Sequence, residues 1–285
     1  MEKIKIAIQK SGRLSEKSLE LLKECGIKIS NGSRKLKTEA RNFPMEILFL
    51  RDDDIPQYVE KGVADIGILG ENEVWEKDKD VEVIEKLGFG NCRLSLAIPK
   101  DKEYTGIEYF NGKRVATSYP KILSRYFAEK NLNVQIEQLG GSVEITTGIG
   151  LADGIFDIVS TGSTLLMNGL KEAETILKSE AVLISNKNLN SEKSALLDKL
   201  LFRIQAYKNG QGKNYVLLNA PNEALPEITK LLPGMRSPSI LPLADSGWSS
   251  VHSVIEDNDF WEIIDELKQL GAEGILVIPI EKMIV

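Results

Sequence analysis

Short runs of aliphatic residues alternate with amphipathic stretches over the first 190 residues, and this alternation constrains the fold more than any other feature. Residues 3–9, KIKIAIQ, predict a strand. Residues 15–26 predict a helix, with apolar residues at nearly every third or fourth position and Gly26 as its stop. Further strands are predicted at 47–50, 64–70 and 181–185. Strands that alternate with helices are typical of an α/β fold with a substantially parallel sheet.

Two of the predicted strands divide this region into two lobes. CRLSLAIP, residues 92–99, is expected to carry the chain across to another lobe, and AVLIS, residues 181–185, to bring it back. We therefore assign residues 1–93 and 181–207 to a first lobe and residues 94–180 to a second lobe. This arrangement leaves a cleft between the lobes, which is a common place for a small ligand to bind.

Residues 208–285 contain one pattern twice. A predicted strand, helix and strand from NYVLLNAP to SPSILPLA is followed by the same order from WSSVHSVI to GILVIPI. A duplicated β-α-β order predicts a small ferredoxin-like domain, βαββαβ, with an antiparallel sheet. The glycine-containing polar segment 208–214 is the predicted linker that precedes it. Because the domain has no cluster of candidate catalytic residues, we expect it to serve regulation or assembly.

Composition excludes several classes of protein and site. The formal net charge is −6 and no apolar run is long enough to span a bilayer, so neither nucleic acid nor a membrane is an expected partner. Cys25 and Cys92 match no disulfide or metal-ligand spacing, and the sequence begins without the apolar segment of a signal peptide, so a cytoplasmic location is expected. The single histidine, His252, lies far along the chain from the hydroxyl-rich and glycine-rich clusters, which argues against a histidine-based catalytic triad or metal site.

The segment 157–170, DIVSTGSTLLMNGL, places four hydroxyl side chains around one glycine, between a predicted strand and a predicted helix. One interpretation is an ordinary helix cap, for which one hydroxyl suffices. The other is a loop whose backbone N–H groups and hydroxyls bind a phosphate. The local sequence does not decide between them, although it lacks the Gly-Lys-Ser/Thr ending of a nucleotide P-loop. The residues in question are Ser160, Thr161, Gly162, Ser163 and Thr164.

Several segments, taken together and in order, carry a resemblance to a known family. They are QKSGRL (9–14), SRKL (33–36), RDDDIP (51–56), ADIGILGEN (64–72), NCRLSLAIP (91–99), GKRVATSYP (112–120), GGSVE (140–144), GLADGIFDIVSTGSTL (150–165) and LVIPIEKM (276–283). This set resembles ATP phosphoribosyltransferase, the first enzyme of histidine biosynthesis. The resemblance covers essentially the whole chain, and the additional C-terminal domain is similar to that of the long form of the family.

The resemblance implies a fold class and a reaction. The fold is α/β, with a two-lobed, periplasmic-binding-protein-like catalytic core and a C-terminal ferredoxin-like regulatory domain. In the reaction, N1 of ATP displaces pyrophosphate from C1 of phosphoribosyl pyrophosphate (PRPP), with Mg²⁺ as cofactor. The ribosyl carbon reacts through an oxocarbenium-like state, so no enzymic nucleophile is needed. ATP and PRPP are then the expected substrates, histidine the expected inhibitor, and a homo-oligomer, dimer to hexamer, the expected assembly.

The resemblance also assigns residues to the catalytic site. The loop from Ser160 to Thr164 would hold the 5-phosphate of the sugar, and Asp157 would bond the ribose hydroxyls. Glu144 would orient a substrate or handle the proton of the adenine amino group, and Arg13 would act beside it. For both carboxylates the alternative is a capping role, and for Arg13 a solvated surface position. The arginines expected to contact nucleotide or pyrophosphate are Arg13, Arg34, Arg51 and Arg93, of which Arg93 could equally form a salt bridge at the hinge.

For the C-terminal domain, the resemblance implies a histidine pocket between paired domains of neighbouring subunits. Asn219 stands where some members have an acidic residue, so inhibition here would be weaker or would use another partner for the cation of the ligand. Two non-catalytic alternatives remain, a bilobal binding protein and an amino-acid sensor. The residues expected to line the histidine pocket are Asn219, Met235, Ser239, Val254 and Gly274.

Overall fold

The structure is a computed structural model that describes residues 2–29 and 36–285. It consists of two compact units, Met1–Asp198 and Lys199–Val285. The first unit contains two sheets, which are the cores of the two lobes, and the second unit contains one sheet.

The first lobe begins with alternating strands and helices, as the periodicity predicts. Ile4, Ile6 and Ile8 of the first strand are completely buried, which explains why this charged segment forms a central strand. The elements follow the chain as β1 (Ile4–Gln9), α1 (Arg13–Glu24), β2 (Lys37–Glu39), β3 (Met45–Leu50), α2 (Ile55–Glu60), β4 (Ile66–Gly70), α3 (Glu71–Lys77) and β5 (Glu82–Lys86).

The second lobe is built around a cluster of buried aliphatic and aromatic side chains. Phe110 and Phe156 are its largest completely buried members, and they pack against Leu94 and Leu96. Its elements are β6 (Cys92–Pro99), β7 (Arg114–Thr117), α4 (Pro120–Glu129), β8 (Gln135–Gln138), β9 (Gly154–Val159), α5 (Ser163–Met167) and β10 (Leu170–Ser179). The chain then returns to the first sheet as β11 (Ala181–Ser185) and continues into α6 (Ser191–Gly210).

The strand orders are β2-β3-β1-β4-β11-β5 in the first lobe and β10-β6-β9-β7-β8 in the second. Among residues 2–29 and 36–285, the parallel pairs are those of β3-β1-β4 and β8-β7-β9, whereas β11 and β6 run antiparallel to their neighbours. The expected parallel sheets are therefore mixed, because the two crossing strands enter from the other lobe rather than through a helical crossover. The two-lobed α/β fold itself is confirmed.

The second unit has the predicted ferredoxin-like topology. Its elements are β12 (Lys213–Pro221), α7 (Leu225–Leu231), β13 (Ser239–Pro242), β14 (Trp248–Glu256), α8 (Asp257–Gln269) and β15 (Glu273–Pro279). The strand order is β13-β14-β12-β15, and all pairs are antiparallel. Ile228 of α7 and Phe260 and Leu267 of α8 pack with Val216 and Leu218 of β12, so both helices cover one face of the sheet.

Two local expectations are wrong. The helix predicted from Ser142 is only a single 3₁₀ turn, Val143–Ile145, because Ser142 has a left-handed φ of 52° and glycines follow within a few residues. The linker predicted at 208–214 is partly helical, since α6 continues to Gly210. A side chain at residue 210 would approach the Ile280 carbonyl oxygen to 2.9 Å, so glycine suits this closely packed end of the helix.

Candidate active site

The hydroxyl-rich segment connects β9 to α5 through Ser160–Gly162. Gly162 occupies the N-cap position of α5 with a φ of 82°, a conformation that a side chain would strain. Because glycine has no side chain, no hydroxyl caps α5 from that position, but the Ser163 backbone N–H donates to Thr161 Oγ1 at 3.4 Å. The helix-cap and phosphate-loop interpretations therefore both stay open. Thr161 and Ser163 are exposed, and their hydroxyl oxygens lie 2.9 Å apart. The hydroxyls of the segment therefore remain accessible to a ligand.

A cavity of 280 Å³ brings the loop together with three predicted site residues, Arg13, Glu144 and Asp157. Arg13 begins α1 of the first lobe, whereas Glu144, Asp157 and the loop belong to the second lobe. The cavity thus opens at the cleft between the lobes. Its lining consists of Arg13, Glu144 and all residues from Asp157 to Leu165.

Asp157 is a carboxyl group whose charged form is disfavoured by its surroundings. Its burial raises the pKa of the carboxyl to about 6, the backbone N–H of Ile158 opposes the shift, and the negative charge of Glu144 adds to it. The Ile158 N–H donates to Asp157 Oδ1 at 2.8 Å and holds the side chain in place. At neutral pH the cavity therefore contains a carboxylate that gains from any hydroxyl or cation that approaches it.

Arg13 supplies positive charge to the same cavity. In the part of the chain that the structure describes, its guanidinium has neither a hydrogen-bond nor an ion-pair partner, and the residue is exposed. Glu144 is half-buried in the 3₁₀ turn that follows the left-handed Ser142. The cavity therefore combines one unpaired cation, two carboxylates and a loop of exposed hydroxyls, which suits a ligand with both phosphate and hydroxyl groups.

The other three arginines lie outside this cavity or outside the described residues. Arg51 is exposed and donates from Nε to Asp53 Oδ1 at 3.1 Å. Arg93 is bound to Glu172 by two hydrogen bonds of 2.6 Å, in line with the salt-bridge alternative. Arg34 lies outside the described residues. All of the predicted loop residues line the cavity, whereas of the four predicted arginines Arg13 is the one that does so among the described residues.

A buried polar cluster joins the lobes, and the sequence reasoning missed it. Asn72 Nδ2 donates to Glu73 Oε1 at 3.2 Å and to the Tyr119 hydroxyl at 3.3 Å, and Ser179 Oγ donates to Asn72 Oδ1 at 2.9 Å. Burial raises the pKa of Glu73 to about 7, the negative charge of Asp52 adds to the shift, and Lys77 opposes it. Polar residues directly after the buried strand ADIGILG are the signal that could have pointed to this cluster.

Comparison with known proteins shows to which family the chain belongs. A family described as ATP phosphoribosyltransferase matches residues 51–206, and its C-terminal domain, HisG_C, matches residues 210–282. The chain is 58% identical to an ATP phosphoribosyltransferase of Bacteroides thetaiotaomicron over 282 residues, which are 99% of this chain and all of that protein. It is 57% identical to that of Cytophaga hutchinsonii, over 99% of this chain and 98% of that protein. The chain belongs to the ATP phosphoribosyltransferase family.

A solved structure agrees with this membership. The ATP phosphoribosyl transferase (HisG:HisZ) complex from Thermotoga maritima contains a chain that is 32% identical, with a TM-score of 0.60, over 70% of this chain and 98% of that one. The predicted family and the predicted transfer of a phosphoribosyl group to ATP are thereby confirmed. As an ATP phosphoribosyltransferase, the enzyme transfers the phosphoribosyl group of PRPP to ATP, the first step of histidine biosynthesis.

In the C-terminal domain, α7 and α8 pack on one face of the sheet. Some of the residues predicted to line the histidine pocket lie on the other face. Val254 is paired with the half-exposed Tyr215 of that face, and Ser239 with His252. A side chain at residue 274 would come within 3.2 Å of Asn219 Nδ2, so Gly274 and Asn219 are neighbours. Met235 is exposed in the loop before β13.

Two further properties bear on the cofactor and location of the transferase. Among residues 2–29 and 36–285, no group of three or more His, Cys, Asp and Glu side chains is arranged to hold a metal ion. In the same residues, every helix is too short or too polar to cross a lipid bilayer.

Proposed function

We propose that PRPP binds in the 280 Å³ cavity, with its 5-phosphate on the loop from Ser160 to Thr164. One observation carries this proposal: the loop, Arg13, Glu144 and Asp157 line the same cavity. A short loop that leads into a helix presents backbone N–H groups and hydroxyls to an anion. In this arrangement Asp157 accepts hydrogen bonds from the ribose hydroxyls, which relieves a carboxylate whose pKa is raised to about 6 by burial.

Arg13 then faces the pyrophosphate, because it is the cation of the first lobe that lines the cavity. Neutralising pyrophosphate improves it as a leaving group, and the positive charge that develops on the ribosyl carbon faces a cavity with two carboxylates. Glu144 orients the adenine and receives or returns the proton of its amino group. Arg34 and Arg51 remain proposed nucleotide contacts, and Arg51 is exposed enough to reach a ligand.

The cofactor that we infer for this reaction is Mg²⁺. Magnesium in phosphate chemistry is held by one or two carboxylates and by substrate phosphates, and it seldom has a cage made of protein alone. Asp157 and Glu144 fit this requirement, since they line one cavity and the Glu144 charge acts on Asp157. When bound, the metal ion would supply neutralisation of the leaving pyrophosphate.

Pyrophosphate release tests the proposed site. The purified enzyme is mixed with ATP, PRPP and Mg²⁺, and released pyrophosphate is measured for the native chain and for Glu144→Gln. We expect the substitution to lower kcat by about tenfold or more, as loss of general acid-base assistance does. The fold of Glu144→Gln is checked by its circular dichroism spectrum. An unchanged rate would leave Glu144 with a structural role only.

We infer in addition that histidine inhibits the enzyme through the second unit, and that the enzyme acts as a homo-oligomer. The support is the sheet face opposite α7 and α8, where Leu276 and Ile278 are about half exposed at 53% and 50%. Apolar residues on an uncovered sheet face favour contact with another copy of the chain. Asn219 and Gly274 adjoin this face and provide polar atoms for an amino-acid ligand.

A further inference from the structure

Arg93 is committed to contacts within the protein through three of its N–H groups. Its Nε and Nη2 donate to the two carboxylate oxygens of Glu172, each at 2.6 Å, and its Nη1 donates to the carbonyl oxygen of Ser160 at 3.0 Å. A two-pronged ion pair of this kind fixes the plane of the guanidinium as well as its position. Arg93 therefore links an edge strand, β10, to the first residue of the loop.

Glu172 is itself held from two strands. Ser95 Oγ of β6 donates to Glu172 Oε1 at 2.7 Å, and Thr175 Oγ1 of β10 donates to the same oxygen at 2.9 Å. Ser95 is completely buried, so water does not reach its side chain and compete for this hydrogen bond. The hydrogen bonds from Arg93 lower the pKa of Glu172 to about 2, and the carboxylate is charged throughout the neutral range. The ion pair of Arg93 and Glu172 is thus held in one position beside the loop.

The contact with the Ser160 carbonyl has a geometric consequence for the loop. A trans peptide unit is planar, and its C=O and the N–H of the following residue point in opposite directions. Holding the Ser160 oxygen toward Arg93 therefore sets the direction of the Thr161 N–H, which belongs to the loop that lines the 280 Å³ cavity. Ser95 also pairs directly with Asp157 across β6 and β9, so the same network adjoins the carboxylate of the cavity.

We propose that Glu172 is a positioning residue for phosphoribosyl transfer: through Arg93 it orients the Ser160–Thr161 peptide and keeps the phosphate loop ready to bind PRPP. This inference rests on the proposed binding of the sugar phosphate at that loop. It also favours the salt-bridge alternative for Arg93 over a contact with pyrophosphate, because the guanidinium is bound to Glu172 and to the Ser160 carbonyl.

The two possible roles of Arg93 predict opposite changes in the strength of PRPP binding when Glu172 is replaced by Gln. If Arg93 were a direct phosphate ligand, Glu172→Gln would free its positive charge and strengthen PRPP binding. If Arg93 instead holds the Ser160 carbonyl oxygen in place, the same substitution leaves the guanidinium less firmly fixed and weakens PRPP binding. The experiment is a measurement of kcat and of the KM values for PRPP and ATP in the full-length enzyme.

For Glu172→Gln we expect a rise in the KM for PRPP of about tenfold, with the KM for ATP changed by less than about twofold, as the loss of one charge-assisted contact implies. Glu174→Gln is the matched control. Glu174 lies on the same strand and accepts hydrogen bonds from Tyr104 and Tyr126, whereas the carboxylate that Arg93 binds is that of Glu172. Equal effects of the two substitutions on the KM for PRPP, or a lower KM in Glu172→Gln, would overturn the proposal.

A double-mutant cycle tests whether Glu172 acts through Arg93. In an Arg93→Ala background, Glu172→Gln should have no further effect on the KM for PRPP, because the hydrogen bond to the Ser160 carbonyl oxygen is already lost. Additive effects would contradict the proposal. Calorimetric melting of each variant separates this readout from a loss of folding, and Glu172→Asp, which keeps the charge, should recover part of the binding.

One more variant separates this inference from the proposed function on which it rests. Thr161→Ala combined with Thr164→Ala removes two loop hydroxyls without touching the ion pair. If this variant leaves the KM for PRPP unchanged, the loop assignment fails, and the role of Glu172 fails with it. If it raises that KM while Glu172→Gln does not, only the positioning role of Glu172 is refuted.

Discussion

Glu73 is a buried carboxyl that the fold keeps partly protonated near pH 7. It is only 7% exposed, and its pKa is raised to about 7 by burial and by the charge of Asp52. The Tyr119 hydroxyl and the Asn72 amide bond it within the cluster that joins the lobes. A group whose pKa is higher in the folded chain stabilises the fold below the unfolded pKa and loses that contribution as the pH rises through the folded value.

For Glu73→Gln we therefore expect a gain in melting temperature that grows with pH. The shift of the pKa from 4.5 to about 7 corresponds to at most about 3 kcal/mol, which is lost between those pH values in the native chain and not in the variant. Calorimetric melting at about pH 5 and about pH 8 measures the difference. Glu103→Gln, at an exposed position, is the control and should show no such trend. A gain that is equal at both pH values would contradict the burial of the Glu73 charge.

Asp157 predicts a pH dependence of activity rather than of stability. Its raised pKa means that the carboxylate is ionised only above about pH 6, so binding of the ribose hydroxyls weakens below that pH. The ratio of kcat/KM for PRPP between the native enzyme and Asp157→Asn should fall as the pH drops through about 6. Taking this ratio cancels the titration of the phosphates of PRPP. A ratio that is constant with pH would remove Asp157 from the binding site.

At the scale of elements, α4 is completed by a side chain from the other lobe. Its N-cap residue, Tyr119, makes no side-chain cap bond, and the carboxylate of Glu76 in α3 accepts from the backbone N–H groups of Lys121 and Ile122 at 3.0 to 3.1 Å. Glu76 is only 6% exposed. A negative charge at a helix N-terminus also interacts favourably with the helix dipole. Glu76 therefore ties the second lobe to the first.

Glu76→Gln should lower the melting temperature by about 2 to 8 °C, the effect of losing a helix cap in a domain of this size. Glutamine retains one acceptor oxygen but loses the charge and the second acceptor. Glu129→Gln, at the opposite end of α4, removes an exposed charge without removing a cap. We expect it to leave the melting temperature unchanged or slightly higher, since its negative charge lies at the unfavourable end of the dipole. Equal losses in both variants would argue against the cap.

The sequence predicted the elements well because hydrophobic period and helix stops are local properties. Strand β1 and helix α1 follow from patterns within a dozen residues, and the loop at Ser160–Thr164 follows from composition alone. Contacts between distant segments escaped it. Glu172 and Arg93 are 79 residues apart in the chain and meet through the pairing of β6 with β10, whose two bulges no periodicity reveals. The partner of Arg93 was therefore not predictable before the strand register was known.

At the scale of the whole molecule, the two units divide the proposed work between catalysis and feedback. Any inhibition by histidine bound to Lys199–Val285 has to alter substrate binding or catalysis by residues of Met1–Asp198, so it is a coupling between two sites. Such coupling is reciprocal in binding free energy. If histidine weakens the binding of PRPP, then PRPP weakens the binding of histidine by the same factor.

Gly274→Ala tests this coupling without touching the catalytic cavity. Gly274 has a φ of 60°, and a methyl group there would lie 3.2 Å from Asn219 Nδ2, so the Asn219 amide has to shift. We expect the histidine concentration for half-inhibition to rise by about tenfold or more, while kcat without histidine stays within about twofold. Inhibition curves at fixed PRPP measure both quantities.

Gly247→Ala is the matched control for Gly274→Ala, since residue 247 has a φ of 100° and open space around the added methyl group. It imposes a similar backbone strain in the same unit without pressing on Asn219. If both variants raise the half-inhibitory concentration equally, strain in the unit is the cause, and the pocket at Asn219 is refuted. If only Gly274→Ala does so, calorimetric titration of histidine with and without PRPP should give a weaker affinity and an unchanged coupling factor, because the substitution alters the effector site and leaves the link between the sites intact.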